Sequence, residues 1–525
     1  MTPMPRHTPA HSISLALLLL TTAATTAATT AATTAATTAA APELPRPRQI
    51  GSRTQLLLDE RVIATSHNVR MTMHSPRRDG RVLLTNDQPW ESDPDQMVAV
   101  YCSLLYERGK FRLWYDLGHR SDRTRRVVAY AESSDGIHFV KPKLGLVEFG
   151  GSKENNVVMP GEIGGCSVWI DPLAPPEHRY KSQQKVYPSS QFHMYSSPDG
   201  IHWKMYRRIT IGAGGWDTQS IIYHDSASRK YLMFTRFWHS HRHGTGVDPD
   251  NYRCVRRLES TDLVRWTNQS IVMAPNAADK ALYTTPPGNP AVDYYGAAVF
   301  PYRDLTIMLT QAFWHWKPRP AGQKGLAPAS FDVRLAVSTD SKTFRRVGNW
   351  RPFMAQGADG RFDSRYVWAL PNPVVVGDEI WIYYAGSNRD HDDQLDPAAG
   401  GRIRTGIGRA VLRRDGWVSA DADLAGGRLT TSPLKFTGTR LELNAATGGG
   451  GSIRVELLDE NSRPLPGFSK ELALPATGNS VRMPVAWKPG NDLARLAGKT
   501  IRLRFHLKDC RLYAFRFRDP APPKR

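Results

Sequence analysis

Two acidic stretches in this chain carry the residue types that bond cleavage by paired carboxylates requires. The segment PWESDPD places Glu91, Asp93 and Asp95 directly ahead of the apolar run MVAVYCSLL. The segment GGWDTQSIIYHD places Asp217 two positions before Gln219, again ahead of an apolar run. A carboxylic acid that donates a proton and a carboxylate that accepts one, or attacks carbon, are the two halves of such cleavage. Both stretches equally suit acids decorating a solvated loop. Asp293 in VDYYGAAVF and Asp363 in RFDSRYVWALP stand in comparable places, where capping a turn is the simpler role.

The stretch TRFWHSHRHG puts Arg236, Trp238, His239, His241 and His243 in one short segment. Alternate histidines on an extended strand share a face and could hold a metal. No carboxylate or cysteine ligand accompanies them at a recognisable spacing, so a substrate-facing polar loop or a plain solvated loop is the better expectation. Trp314, His315 and Trp316 in QAFWHWKP form a second aromatic group, suited to sugar stacking or to packing.

The elements that must position these residues announce themselves by repetition. Anchored on an aspartate, the copies are ESSDGIHF (Asp135), SSPDGIHW (Asp199), ESTDLVRW (Asp262), VSTDSKTF (Asp340) and a worn LRRDGWVS (Asp415), spaced by 64, 63, 78 and 75 residues. In the first four a serine stands two before the aspartate and an aromatic four after it. A carboxylate there accepts backbone N–H groups just ahead, and glycine tolerates positive φ, so these residues read as structural turns set away from any funnel. Ahead of each aspartate runs a strand: KFRLWYD, RYKSQQKV, KYLMFTR, LTIMLTQ and EIWIYYAG. Five such units predict an all-β fold, a five-bladed β-propeller over residues 50–425, with LLLDERVIA (56–64) as the strand closing the ring. Beyond it, short alternating strands with Gly/Pro turns predict a C-terminal β-sandwich over 430–520.

The opening MTPMPRHTPAHSISLALLLL, followed by threonine–alanine repeats, has the basic start and short apolar run of a secretory signal; residues 1–41 are expected to be a leader without a core. Export would place the protein in the periplasm or outside the cell, and no later apolar run is long enough to span a bilayer. The formal net charge of +20 draws anionic partners. With export expected and no nucleic-acid-binding signature, an acidic or sulfated polysaccharide is a better partner than nucleic acid. The scattered Cys102, Cys166, Cys254 and Cys510 make neither a disulfide framework nor a zinc site, and Cys102 reads as a buried thiol.

The five repeats, the DQPWE stretch at 87–91 and the trailing strands resemble the five-bladed propeller glycoside hydrolases, the β-fructosidase, α-arabinanase and related families. The segment ESSDGIHFVKPKLGLVEFGGSKENN (132–156) more closely resembles a large group of exported bacterial proteins attached to that superfamily. The resemblance implies a funnel at one end of the ring, lined by the innermost strand of each blade and holding a base or nucleophile from the first blade and an acid from the third. Carried onto this chain, Glu91 beside Trp90 is the first choice for the former and Asp95 the second. Asp217, an aspartate where those families have glutamate, is the choice for the acid. Gln219, Arg236, Trp238, His239, Asp293 and Asp363 are then substrate-binding candidates along with Trp90. No cofactor and no metal ion is expected. The usual asparagine–aspartate start of the first blade is missing, which leaves a non-catalytic glycan-binding propeller as an alternative. A sialidase-like enzyme is another, although Gly136 and Gly200 follow their aspartates directly, where sialidase turns insert a residue.

Overall fold

The computed structural model describes residues 46–519 apart from 94–95, 120–121, 123–124, 162, 187–191, 210, 212–217, 240–251, 282–291, 316–328, 392–401 and 489–490. The expected leader lies outside the described residues. Five antiparallel sheets follow one another along the chain. The first is Gln96–Glu107, Lys110–His119, Val127–Ser133 and Val157–Met159. The second runs from Ile163–Gly164 and Val168–Ile170 through Tyr180–Val186 and Phe192–Ser197 to Lys204–Ile209, and the third comprises Ile221–Asp225, Lys230–Trp238, Arg253–Ser260 and Thr267–Met273. The fourth comprises Val292–Tyr302, Leu305–His315, Ala329–Ser338 and Arg345–Arg346. The fifth holds Tyr366–Ala369, Val374–Val376, Glu379–Ser387 and Thr405–Arg413. Each of the five repeated strands read from the sequence is the second long strand of its blade. Apolar side chains from neighbouring sheets interdigitate: Leu104 and Tyr115 of blade 1 share a core with Tyr366, Trp368 and Tyr383 of blade 5, which closes a five-bladed propeller.

The aspartate turns join the third and fourth strands of blades 1 to 4. In blade 1 Ser133 Oγ donates to Asp135 Oδ1 at 2.8 Å, and that oxygen accepts the N–H groups of Ile137 and His138 at 2.8 and 2.9 Å. Asp199, Asp262 and Asp340 repeat the pattern. The residue after each aspartate needs positive φ: Gly136 (+72°), Gly200 (+76°), Leu263 (+62°) and Ser341 (+57°). The turns also clasp neighbouring blades. Tyr383 Oη donates to the Gly136 carbonyl at 2.8 Å, and Trp114 Nε1 donates to the Gly200 carbonyl at 2.6 Å. Asp415 lacks this pattern and instead accepts Tyr302 Oη and Arg303. The physical reason is that blade 5 takes its fourth strand from elsewhere, so no turn is needed.

That strand is Arg77–Arg78, whose residues pair with Val411 and Ala410. This corrects the expectation that residues 56–64 close the ring. Arg78 Nη1 is fastened to Asp363 Oδ2 at 2.8 Å, which fixes the seam. Residues 48–73 serve the C-terminal module: Ile63–His67 pairs with Gly427–Thr431, Arg70–Met73 with Val418–Ala422, and Gln55–Leu56 with Arg502–Arg518. In that module eight strands form one hydrogen-bonded sheet around a common apolar core. Its long strand Arg502–Arg518 is sharply bent. The rings of Phe505 and Phe515 lie 5.6 Å apart, whereas ten residues of straight strand span about 33 Å. The bend sits at Asp509, at φ +41°, opposite a register shift between Thr447 and Ser452.

Candidate functional site

Strand register separates the two ends of the ring. In blade 4 Asp293 pairs with Phe313 at one end, while Thr306 pairs with Ser338 of the aspartate turn at the other. In blade 1 Gln96 pairs with His119 at the first end and Phe111 with Ser133 at the second. Asp95 and Asp217 both lie outside the described residues. In the sequence they adjoin Gln96, the first residue of the first strand of blade 1, and Thr218, three residues ahead of the first strand of blade 3.

Three further predicted residues do meet there. Asp293, 2% exposed, opens the inner strand of blade 4. Its Oδ1 accepts the Arg253 backbone N–H at 2.7 Å, and its Oδ2 accepts Arg253 Nη1 at 2.5 Å. The same Oδ2 lies 3.0 Å from His315 Nε2. Burial would raise the Asp293 pKa, but Arg253 and His315 outweigh it and hold the carboxyl at about 2. Arg253 stacks on Trp238, with its guanidinium carbon 4.3 Å from the ring centroid, and lies 4.9 Å from the ring of Tyr295. Arg236 lies 4.7 Å from the same tyrosine ring. Burial pushes the Tyr295 phenol up, and the two arginines more than offset that, leaving it below its ordinary value. His391 of blade 5 comes within 3.4 Å of Tyr295 Oη, and the rings of Tyr295 and Trp368 lie 6.0 Å apart. Asp293, Arg236 and Trp238 thus form one buried charged and aromatic group where the second and third strands of blade 3 meet the first strand of blade 4.

Gln219 sits at the axis rather than facing open space. Its Nε2 donates to the carbonyls of Cys102 (2.8 Å) and Cys166 (2.5 Å), tying the inner strands of blades 1 and 2 to blade 3. Trp368 Nε1 reaches its Oε1 at 3.4 Å from blade 5. His239 stacks on Tyr252 at 4.6 Å, and His241 and His243 lie outside the described residues. Among the described residues no group of three or more His, Cys, Asp or Glu side chains could hold a metal.

The remaining predicted residues stand apart. Glu91 is 0% exposed and caps a short 3-10 turn, accepting the N–H groups of Asp87 and Gln88 at 3.1 and 3.2 Å. It also accepts Tyr115 Oη at 2.8 Å and Lys141 Nζ at 2.5 Å. These bonds make Glu91 the carboxylate that caps the turn and pairs with Lys141. Trp90 donates to Asn156 at 2.9 Å and packs, partly buried, on the blade 1 core. Asp363 accepts Arg78 and Tyr384 Oη at the ring seam. Trp314 is 4% exposed and packs between blades, with Arg334 4.8 Å from its ring. Beside it, Ser330, Asp332, Arg334 and Gln356 line a cleft of about 370 Å³.

Sequence reasoning passed over Arg253, Tyr295 and Asp116. The signal for the first was RCVRRLES, a strand of a blade interior carrying three arginines, all buried. Asp116 was hidden inside KFRLWYD, read only as a packing strand. It is 4% exposed; its Oδ2 accepts the Gly165 N–H at 3.2 Å, and its Oδ1 has no partner. Burial drives its pKa up to about 7, against the pull of Arg126 and two backbone N–H groups.

No protein-family profile matches the chain. Two uncharacterised proteins of Mycobacterium tuberculosis are 20% identical over 151 residues, 27% of this chain and 47% of theirs. The chain thus spans about half the length of the curated relatives it matches. Among solved structures it is similar to an N-acetylgalactosamine deacetylase from F. plautii in complex with blood group B trisaccharide, with a TM-score of 0.43, 13% identity and coverage of 65% of this chain and 95% of that one. A glycosyl hydrolase from Bacteroides ovatus scores 0.42 at 13% identity, covering 67% and 97%. A glycoside hydrolase of family 130 that targets β-1,2-mannosidic linkages in Candida mannan scores 0.40 at 14%, also covering 67% and 97%. The five-bladed propeller stands on the chain's own five sheets and on the core that blades 1 and 5 share.

Proposed function

We propose that the protein is an exported glycoside hydrolase acting on a poly- or oligosaccharide at the end of the propeller where Asp293 lies. One observation carries this reading. Buried charged and aromatic side chains of blades 3, 4 and 5 converge beside Asp293, and in the sequence Asp95 stands one residue and Asp217 four residues ahead of the first strands of blades 1 and 3. In this account Asp95 activates water or attacks carbon and Asp217 protonates the leaving oxygen. Asp293, Arg236 and Trp238 belong to the sugar-binding wall, and the basic charge favours an anionic glycan. Glu91 and Trp90 brace blade 1, Asp363 fastens the closing strand to blade 5, and we read the C-terminal module as a β-sandwich folded from one sheet.

The test is reducing-sugar release over a polysaccharide panel by wild type, Asp95→Asn, Asp217→Asn and Glu91→Gln. Both aspartate variants are expected to lose about 10²- to 10⁴-fold in turnover. Glu91→Gln leaves the buried Lys141 ammonium with Asp87 as its carboxylate partner and should cost about 1–3 kcal/mol of stability while its folded fraction keeps its turnover. Glycan binding without turnover by wild type would replace this reading with the non-catalytic one. Turnover surviving both aspartate changes would remove them from the chemistry.

A further inference from the structure

An ion pair held out of water in the wall of an open cleft needs a physical reason. On the third strand of blade 4, Asp332 and Arg334 are each 7% exposed, and both line the cleft of about 370 Å³ beside Trp314. Arg334 Nε and Nη2 donate to the two Asp332 oxygens at 2.6 Å each, and Nη1 donates to the Trp350 carbonyl. The guanidinium also stacks on Trp314, so the pair is fixed in place. Packing alone does not call for it, because apolar side chains of similar volume serve a core as well or better. A carboxylate has about four lone-pair sites and Arg334 takes one at each oxygen, so Asp332 keeps acceptor capacity toward the cleft. At the mouth Ala355 is exposed, and Ser330, Pro352, Gln356 and Gly357 are half-buried. Gln356 Nε2 makes a long bond of 3.4 Å to the Arg365 carbonyl. Among the described residues its Oε1 and the Ser330 hydroxyl have no partner.

Charge and place narrow the ligand. Asp332 and Arg334 are the charged residues of the lining and they cancel, so the cleft favours neither an anion nor a cation over a neutral hydroxyl. Strand register sets Ser330 opposite Trp314 and Trp314 opposite Val292, the neighbour of Asp293. The cleft therefore lies at the Asp293 end of the ring, two strand spacings or about 10 Å outward. Resting on the glycosidase reading above, we propose that this cleft is a distal subsite, in which Asp332, Gln356 and Ser330 hold the hydroxyls of a neutral sugar residue of the bound glycan. Asp332 accepts a hydrogen bond from one hydroxyl, and the Gln356 amide donates and accepts at a second. Arg334 keeps the carboxylate oriented.

The experiment is calorimetric titration of the full chain with the methyl glycosides of glucose, galactose, mannose, xylose and arabinose, and with methyl β-glucuronide as a charged control. Two variants are compared with wild type, each checked for folding by circular dichroism. Gln356→Ala removes contacts at the rim, and Ala355→Trp fills the mouth while leaving the ion pair intact. At least one neutral glycoside is expected to bind wild type. Its affinity should fall about three- to tenfold in Gln356→Ala, by the loss of a hydrogen bond, and its binding should vanish in Ala355→Trp. No binding by any neutral glycoside, or affinities within about twofold of wild type in both folded variants, overturns the proposal. Glucuronide binding about tenfold tighter than any neutral probe, and lost in Ala355→Trp, overturns it too by making the cleft an anion site. Turnover of a polysaccharide without glycoside binding that the variants alter removes this subsite and leaves the glycosidase reading intact. Cleft-dependent binding without turnover on any glycan supports the subsite and removes the hydrolase.

Discussion

At the residue scale, the partners of each carboxylate rather than its residue type separate the buried acids of this chain. Glu91, Asp293 and Asp363 are all buried, and each is engaged by basic or hydroxyl groups that hold it in place. Asp116 differs: an apolar setting with Gly165 as its near donor leaves its carboxyl at about 7, against an ordinary value of 3.8. A carboxyl raised on folding stabilises the protein below its unfolded pKa, and that stabilisation is lost as pH rises through the folded value. Between pH 5 and 8.5 wild type should therefore lose about 2 kcal/mol or more relative to Asp116→Asn, as read by urea unfolding at each pH. Parallel curves for the two proteins would show that Asp116 ionises normally. The sequence could not expose this residue, because an aspartate within KFRLWYD looks the same whether its strand edge meets water or a neighbouring blade.

At the element scale, the repeated turn is a clasp. Its serine, aspartate and following glycine were legible as structure from spacing alone, and so were the second strands of all five blades. What spacing could not show is that Tyr383 and Trp114 reach across from the preceding blade to seal the turns. A methyl group at Gly136 would stand 2.5 Å from Tyr383 Oη and 2.9 Å from both Phe111 and Trp381. Gly109 has a similar φ, +79°, with nothing within 4 Å. Gly109→Ala should therefore cost only the left-handed penalty of about 1–2 kcal/mol. Gly136→Ala adds the overpacking cost of about 1–3 kcal/mol, with catalytic parameters unchanged in both. Equal losses of unfolding free energy in the two variants would remove the clasp from the account.

At the scale of the whole molecule, the propeller and the C-terminal module are interwoven through the first described residues. Residues 48–73 supply strands to the module and Arg77–Arg78 then closes the ring. Sequence periodicity revealed the blades but not this route, because a two-residue closing strand carries no alternation and LLLDERVIA does. The same limit applies to the site: Asp293, Arg236 and Trp238 were visible as candidates, whereas Arg253 and Tyr295 become meaningful only once blades 3 and 4 bring them within 5 Å. The central claim is that sugar binds at the Asp293 end of the ring. Hydrogen–deuterium exchange with and without a bound glycan tests it most directly. Protection is expected in 230–238, 252–258 and 292–297, with the aspartate turns at 135, 199, 262 and 340 unchanged. Protection confined to those turns or to residues 427–519 would contradict it.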